Sequence, residues 1–506
     1  MNNSTTNMFG AVTRVLSSLI AAGGLLLGGA SQAAVHGITG PVFNLSASAA
    51  TISQPDGASI YSWGYGCTVA PAGFAPANPA ANCPLMQMPG PTMIVNEGAT
   101  VTVNLTNSLP LAAGNTSIVF PGMTVTSSGG VDGVLTKEAA NGTTGNTVTY
   151  TFTASKPGTY SYYSGTQSDL QIEMGLFGAI IVLPTSVTPN CSNRPVPQGD
   201  MRLAASAYDH PDSCYDREYL FQFSEMSSTI HEQVQAQVNA CTVAPCQQLL
   251  ASMEPYRPNY YMVNGRSMPD DMDVAYSATY PTQPYNGNPH MHPGELVLMR
   301  VIGQGHWQHP FHFHGNHARV LARDASMLLS QTPGSTKLAG PLLFTIATVS
   351  GQTVDAIFSW TGQGLNWDVY GLDSAGHSCN NKAAFDANGR NKFTTPASTY
   401  DPTSVGFDAT THEYCLDHGK PIPVTPPDPN IVVNGQWYGG TPYIGLQSAN
   451  PTPEAPGTLN QNPEAGYAYM WHSHNEREIT TNDVFPGGMM MMLLIDPASW
   501  SIDETQ

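Results

Sequence analysis

Positive charge is scarce in this 506-residue chain: Lys and Arg together number 17 against 36 Asp and Glu, giving a formal net charge of −19. That balance excludes nucleic acid as a partner, because phosphate recognition needs a basic face. An acidic surface keeps a chain soluble and attracts cations. Charge of either sign is sparse, at 10% of residues, while glycines number 49 and prolines 41. Such a chain is poor in long surface helices and rich in turns, which points to an all-β architecture with long loops. No apolar run beyond residue 30 is long enough to cross a membrane. The length exceeds one compact domain and fits two or three.

The N-terminus reads as an export signal of about residues 1–34. Arg14 gives a positive start, Val15 to Ala30 is apolar and small, and Ser31-Gln32-Ala33-Ala34 provides a cleavage site. There is no twin arginine, and no cysteine follows the cleavage site to carry a lipid. The expected location is therefore the periplasm, the cell surface or the medium. The eight cysteines are an even number in an exported chain, so disulfides are the default. The expected pairs are Cys67–Cys83, Cys379–Cys415 and two bonds among Cys191, Cys214, Cys241 and Cys246.

Period-two hydrophobicity marks a first β-domain over residues 35–190. Val101, Val103 and Leu105 alternate with polar residues, Val148 to Phe152 alternates again, and Gly175 to Pro184 reads as a buried strand. Residues 191–256 read as a connector with disulfides and short helices. A second β-domain is expected over 257–500, with strands at Glu295–Val301, Ala318–Ala322, Thr353–Ser359 and Met489–Ile495. Inside it, about 370–466 is polar and rich in Pro, Gly and Asn, and reads as an insertion with structure of its own.

Nine of the 15 histidines fall in three short clusters: His290 and His292; His306, His309, His312, His314 and His317; and His472 and His474. His-x-His on a strand puts both imidazoles on one face. Two neighbouring strands so built surround one space with four imidazoles, and neutral imidazole suits Cu, Zn, Fe and Ni. The second and third clusters are the candidate metal ligands. His290 and His292 flank a proline turn and are weaker candidates beside a surface reading.

These motifs resemble those of the multicopper oxidase family. His309-Pro310-Phe311-His312-Phe313-His314-Gly315 is similar to the family's HPxHxHG motif. Trp471-His472-Ser473-His474, followed by Phe485-Pro486-Gly487-Gly488-Met489, resembles its C-terminal paired motif, and Gly351-Gln352-Thr353-Val354-Asp355 resembles a family turn and strand. The resemblance covers most of residues 85–190 and 257–500. It implies two cupredoxin-like Greek-key β-barrel domains with a long insertion in the second, copper as cofactor, and dioxygen with a small reductant or metal ion as co-substrates. Within the chain, Gly158-Thr159-Tyr160-Ser161-Tyr162-Tyr163-Ser164-Gly165 lines up with Gly466 to His474, setting Tyr163 against His472 and Gly165 against His474. Ser117 to Met123 lines up with the other motif, with Val119 and Pro121 at the histidine positions. The first domain thus reads as the same fold with its copper ligands replaced.

The family pattern also breaks in the second domain. The resemblance implies a blue, type 1 copper site with a thiolate where this chain has Ser473, a further histidine where it has Glu478, and an axial ligand where it has Asp483. A hydroxyl cannot replace the soft sulfur, so type 1 copper is not expected. Ser473, Glu478 and Asp483 beside His309 could form a hard-metal pocket for Mn or Fe, or Glu478 and Asp483 could be solvated loop residues. Of the trinuclear ligands, His312, His314, His472 and His474 remain. Three readings are open: a partner or second copy completes the cluster, His290, His292, His306 and His317 build a local site, or the chain binds copper without turnover. Met489 to Met492 supply thioethers suited to Cu(I), but alternation puts only half of them on one face, and the run reads as a core strand filled with methionine.

Overall fold

Thr100–Asn107 shows how this sequence makes sheets: Val101, Val103 and Leu105 are buried while Thr102, Asn104 and Thr106 are half-exposed. The strand before it, Met93–Asn96, turns into it through Gly98, whose φ of +80° is one that side chains rarely adopt. The computed structural model describes residues 35–185, 205–363 and 467–496, with 191, 203, 369–370, 414–415, 417 and 501–504. Residues 1–34, read as an export signal, and nearly all of 370–466, read as an insertion, lie outside these residues.

The architecture is all-β, with two pairs of sheets. In the N-terminal pair, one sheet runs Gly73–Ala75, Gly37–Thr39, Met93–Asn96, Phe177–Leu183, Gly158–Tyr163. The other runs Ser59–Cys67, Val42–Ser53, Thr100–Asn107, Thr147–Thr153, Thr126–Gly129. Between them lies a core that includes Phe43, Leu45, Trp63, Tyr150, Ile180 and Val182. Hairpin neighbours such as Val42–Ser53 and Ser59–Cys67 alternate with neighbours far apart in sequence, such as Met93–Asn96 beside Phe177–Leu183, so the connections cross in the manner of a Greek key.

In the C-terminal pair, the first sheet runs Tyr260–Val263, Arg217–Met226, Leu296–Gly303, Thr353–Ser359, Ala318–Arg323, Ser326–Met327, with Leu342–Leu343 also pairing Ala318–Arg323. The second runs His290–Met291, Met490–Ile495, Tyr467–Ser473, His309–Phe313, Thr345–Thr348. An aromatic core of Phe221, Phe223, Phe311, Phe313, Phe358, Tyr469 and Trp471 fills the space between them. Burying each of these rings stabilises the fold by roughly 2–3 kcal/mol.

Residues 217–226, inside the stretch read as a connector, form a full strand, parallel to Leu296–Gly303 and antiparallel to Tyr260–Val263. Its pattern was hidden because both faces are buried and its charges are paired internally. Arg217 bonds Glu295, and Glu218 bonds Arg300. The helical expectation falls on Ser228–Ala240, which buries Ile230, His231 and Val234. Cys67–Cys83, Cys191–Cys214 and Cys241–Cys246 are bonded. The Cys379–Cys415 pairing involves Cys379, which lies outside the described residues.

The two sheet pairs are joined by a buried polar knot. Thr159 Oγ1 donates to Asp355 Oδ1 at 2.6 Å and accepts from Arg300 at 3.0 Å, and Thr353 Oγ1 donates to the Thr159 carbonyl at 2.7 Å. Ile94, Ile181, Leu220 and Ile302 pack together beside it.

Candidate functional site

The His309–Phe313 and Tyr467–Ser473 strands are antiparallel neighbours, with Phe311 opposite Ser473, His312 opposite His472 and Phe313 opposite Trp471. The ladder continues at both ends: the His314 amide donates to the Met470 carbonyl at 3.1 Å and the His474 amide to the Pro310 carbonyl at 2.8 Å. Alternation therefore sorts the motif. Phe311, Phe313, Trp471 and Ser473 enter the core. His312, His314, His472 and His474 share the opposite face. Gly315, with φ of +103°, turns the chain away after His314, and a Cβ there would lie 3.3 Å from Phe358 and Tyr469.

The imidazoles meet closely. Ring centroids of His312 lie 4.9 Å from His314, 5.3 Å from His472 and 4.7 Å from His474. Nitrogens of His312, His314 and His472 all fall within 4.8 Å of one another. His472 Nδ1 bonds the Ser473 carbonyl at 2.7 Å. A carbonyl only accepts, so that nitrogen carries the proton and Nε2, 3.4 Å from His314 Nε2, keeps its lone pair. His312 Nδ1 is fixed by Thr345 Oγ1 at 2.8 Å. Burial, then the neighbouring imidazoles of His314, His472 and His474, lower the basicity of His312 to about 4. Burial likewise lowers His472. Neutral imidazoles crowded on one face are a donor set that fits copper.

The other side of the same strands holds different chemistry. His309 is fully buried, its Nε2 2.8 Å from Glu225 Oε2 and its Nδ1 3.0 Å from Glu478 Oε2. Burial alone would lower this histidine. The hydrogen bonds and charges of Glu225 and Glu478 outweigh it and raise the group to about 9. His309 is thus an imidazolium held between two carboxylates, with both nitrogens spent, and it stands apart from the four-histidine face. Glu478 also accepts from Ser473 Oγ and, at 2.9 Å, from Asn475. Glu225 accepts the amides of His306 and Trp307 at 2.7 and 2.8 Å. Sequence reasoning missed Glu225, which lies 84 residues from its partner and within the stretch read as connector.

The remaining candidates disperse. Asp483 is exposed and pairs with Arg477 at 3.2 Å, so it does not join Glu478 in a hard-metal pocket, and Glu478 is buried rather than solvated. His290 bonds Asp496 at 2.7 Å, and His292 bonds Glu295 at 3.2 Å. His306 packs edge-on against Tyr256, with ring centroids 5.1 Å apart. His317 packs against Phe344, whose ring also touches His312. No local site of His290, His292, His306 and His317 forms, since each is held by a different element. In the N-terminal domain the equivalent cross-strand bridge joins Val119 to Tyr163, neither of which is a histidine.

Two segments, residues 85–187 and 252–364, match sequence models described as multicopper oxidase. Laccase abr2 of Aspergillus fumigatus is 34% identical over 98 residues, 19% of this chain and 16% of that protein. Multicopper oxidase MCE of Talaromyces pinophilus is 33% identical over 105 residues, 20% of this chain and 16% of that protein. The matched part thus spans about a sixth of the length of these curated relatives. The crystal structure of a blue copper oxidase from Nitrosomonas europaea aligns over 89% of this chain and 85% of its own, at 15% identity and a TM-score of 0.46.

Proposed function

Because the chain belongs to the multicopper oxidase family, whose cofactor is copper, we propose that it is an exported copper oxidoreductase that uses dioxygen at a site built from His312, His314, His472 and His474. The observation that carries this reading is the cross-strand pairing of His312 with His472, which sets four imidazoles on one sheet face. Copper bound there supplies one-electron redox chemistry. The protein's part is to keep His312 and His472 neutral at neutral pH, to fix their orientation through Thr345 and the Ser473 carbonyl, and to brace the strands with Trp471, whose indole donates to the His314 carbonyl at 3.0 Å.

Ser473 and the closed Glu225–His309–Glu478 triad leave no thiolate site to relay electrons, so a reductant such as a phenol, a cuprous ion or a manganous ion would have to reach the histidine face itself. Phe344, 51% exposed and in ring contact with His312 and His317, borders that face. Three disulfides fit an oxidising compartment and the expected export signal.

Two other readings rest on specific features. Ser473 in place of a thiolate favours a copper-binding or sequestering protein without turnover. Leu342, Phe344 and Val349, exposed around the strand that borders the cluster, favour a partner or second copy that completes the site. Oxygen uptake by the copper-loaded full chain, with a phenol, a cuprous salt or a manganous salt as donor, separates the three. Uptake that disappears in His312→Ala with His474→Ala supports the oxidase. Bound copper without uptake for any donor contradicts it in favour of a binding protein, and uptake only with a stoichiometric partner in favour of a subunit.

A further inference from the structure

The histidine face does not end at the histidines. Tyr467–Ser473 pairs on its other side with Met490–Ile495, and the register sets His472 opposite Met490 and Met470 opposite Met492. Directly opposed residues of an antiparallel pair point to the same side. Three strands therefore carry two parallel rows across one face. His312, His472 and Met490 form one row, and His314, Met470 and Met492 form the next. A fourth sulfur lies at the sheet edge, where Met272 Sδ accepts the Met492 amide at 3.3 Å.

The four-methionine run divides accordingly. Met489 and Met491 are fully buried in the aromatic core, where a flexible thioether fills irregular gaps. Met490 and Met492 point the other way, and Met492 and Met470 are only half-buried. The aromatic core accounts for the first pair; Met490 is also buried, at 6% exposure, but lies outside that core, and Met492 is half-buried. At half-exposed positions of a sheet a β-branched or polar residue is the ordinary choice, whereas here the thioethers stand in rows with imidazoles.

We propose that Met470, Met490 and Met492 form a binding site for a soft monovalent ion, Cu(I), beside the histidine cluster. Thioether sulfur selects Cu(I) over the hard cations that an acidic surface also gathers. Opposed side chains on neighbouring strands are about 5 Å apart at Cβ, so an ion held by Met470 and Met492 is one ligand exchange from His314, and one held by Met490 is one exchange from His472. The site receives the cuprous ion in the form that soft ligands hold and passes it to the imidazoles with its charge unchanged. The inference rests on the sheet register and stands whether or not the copper turns over.

The test uses Ag(I), a redox-silent ion of the same charge and softness, and the full chain carrying 13C-methyl methionine. The first equivalent of Ag(I) is expected to shift the methyl resonances of Met470, Met490 and Met492, assigned by single Met→Leu substitutions, and to leave Met489 and Met491 in place. Met470→Leu with Met492→Leu keeps side-chain volume and is expected to weaken Ag(I) and anaerobic Cu(I) binding, measured against a cuprous chelator, by roughly tenfold or more, the scale on which groups around a metal act. His312→Ala with His474→Ala is expected to abolish Cu(II) binding and leave the methionine shifts intact, so the two sites can fail separately. Shifts confined to Met489 and Met491, no methionine shift at all, or unchanged Cu(I) affinity in the double Leu variant would overturn the proposal.

Discussion

Replacing His309 by glutamine tests the reading that this histidine is a buried cation and not a copper ligand. His309 is fully buried, and so is Glu478, while Glu225 is 2% exposed. Glutamine leaves two carboxylates facing a neutral group. Removing one partner of a buried ion pair typically costs about 3–5 kcal/mol, because a desolvated charge loses its compensation. A second route gives a similar size: raising the group from 6.5 to about 9 corresponds to roughly 3 kcal/mol of preference for the charged form. Backbone amides of His306 and Trp307 on Glu225, and Ser473 and Asn475 on Glu478, soften the loss, so the lower end is expected.

The pH dependence has a definite sign. A group whose folded value lies above its unfolded one contributes stability that is fully present below about 6.5 and is lost as pH rises through about 9. Glu225, although burial opposes it, is lowered by His309 and the two amides, and its contribution is lost as pH falls below the ordinary carboxylate range. Urea unfolding of the copper-free chain should therefore show roughly 3 kcal/mol of stability disappearing between pH 6.5 and 9 and above. His309→Gln should be destabilised by about that amount at pH 6 and show no such decline, and its copper content should match the parent. A loss under about 1 kcal/mol, the size of a surface pair, or a fall in bound copper, would refute the triad.

Thr345→Val removes the hydroxyl from His312 Nδ1 and is expected to weaken Cu(II) binding about 10- to 100-fold with little change in fold, measured by chelator competition and circular dichroism. Ser473→Cys supplies a thiolate but leaves His309 protonated and Glu478 where a second imidazole is needed, so no blue absorption should appear on adding Cu(II). Trp471→Ala empties a fully buried ring site and frees the His314 carbonyl, with about 3–5 kcal/mol of destabilisation expected in urea melts. Trp471→Phe should cost about 1 kcal/mol, most of it from the lost hydrogen bond.

The sheets were legible wherever one face is buried and the other wet. Val101 to Leu105 and Thr353 to Ser359 are strands because period-two or continuous hydrophobicity has no other use at that length. The four-histidine face followed from the same rule, since His-x-His on paired strands can only converge. Arg217–Met226 was not legible, because its charges are compensated by Glu295 and Arg300, residues that sequence distance hides. For the same reason the environment of His309 was not legible: motif position put it with the ligands, whereas the fold sets it between Glu478 and Glu225, the latter brought in by that unexpected strand. The strand parity of Met490 and Met492 was visible in the sequence, but their place beside the histidines depends on a register that only the fold fixes.

Copper content and electron paramagnetic resonance of the full chain matured in copper, with and without His312→Ala and His474→Ala, test the central claim most directly. Copper with no type 1 signal, lost in the double variant and retained in His309→Gln, is the predicted result. A blue type 1 signal, copper that survives loss of His312 and His474, or no copper in the parent chain would contradict it.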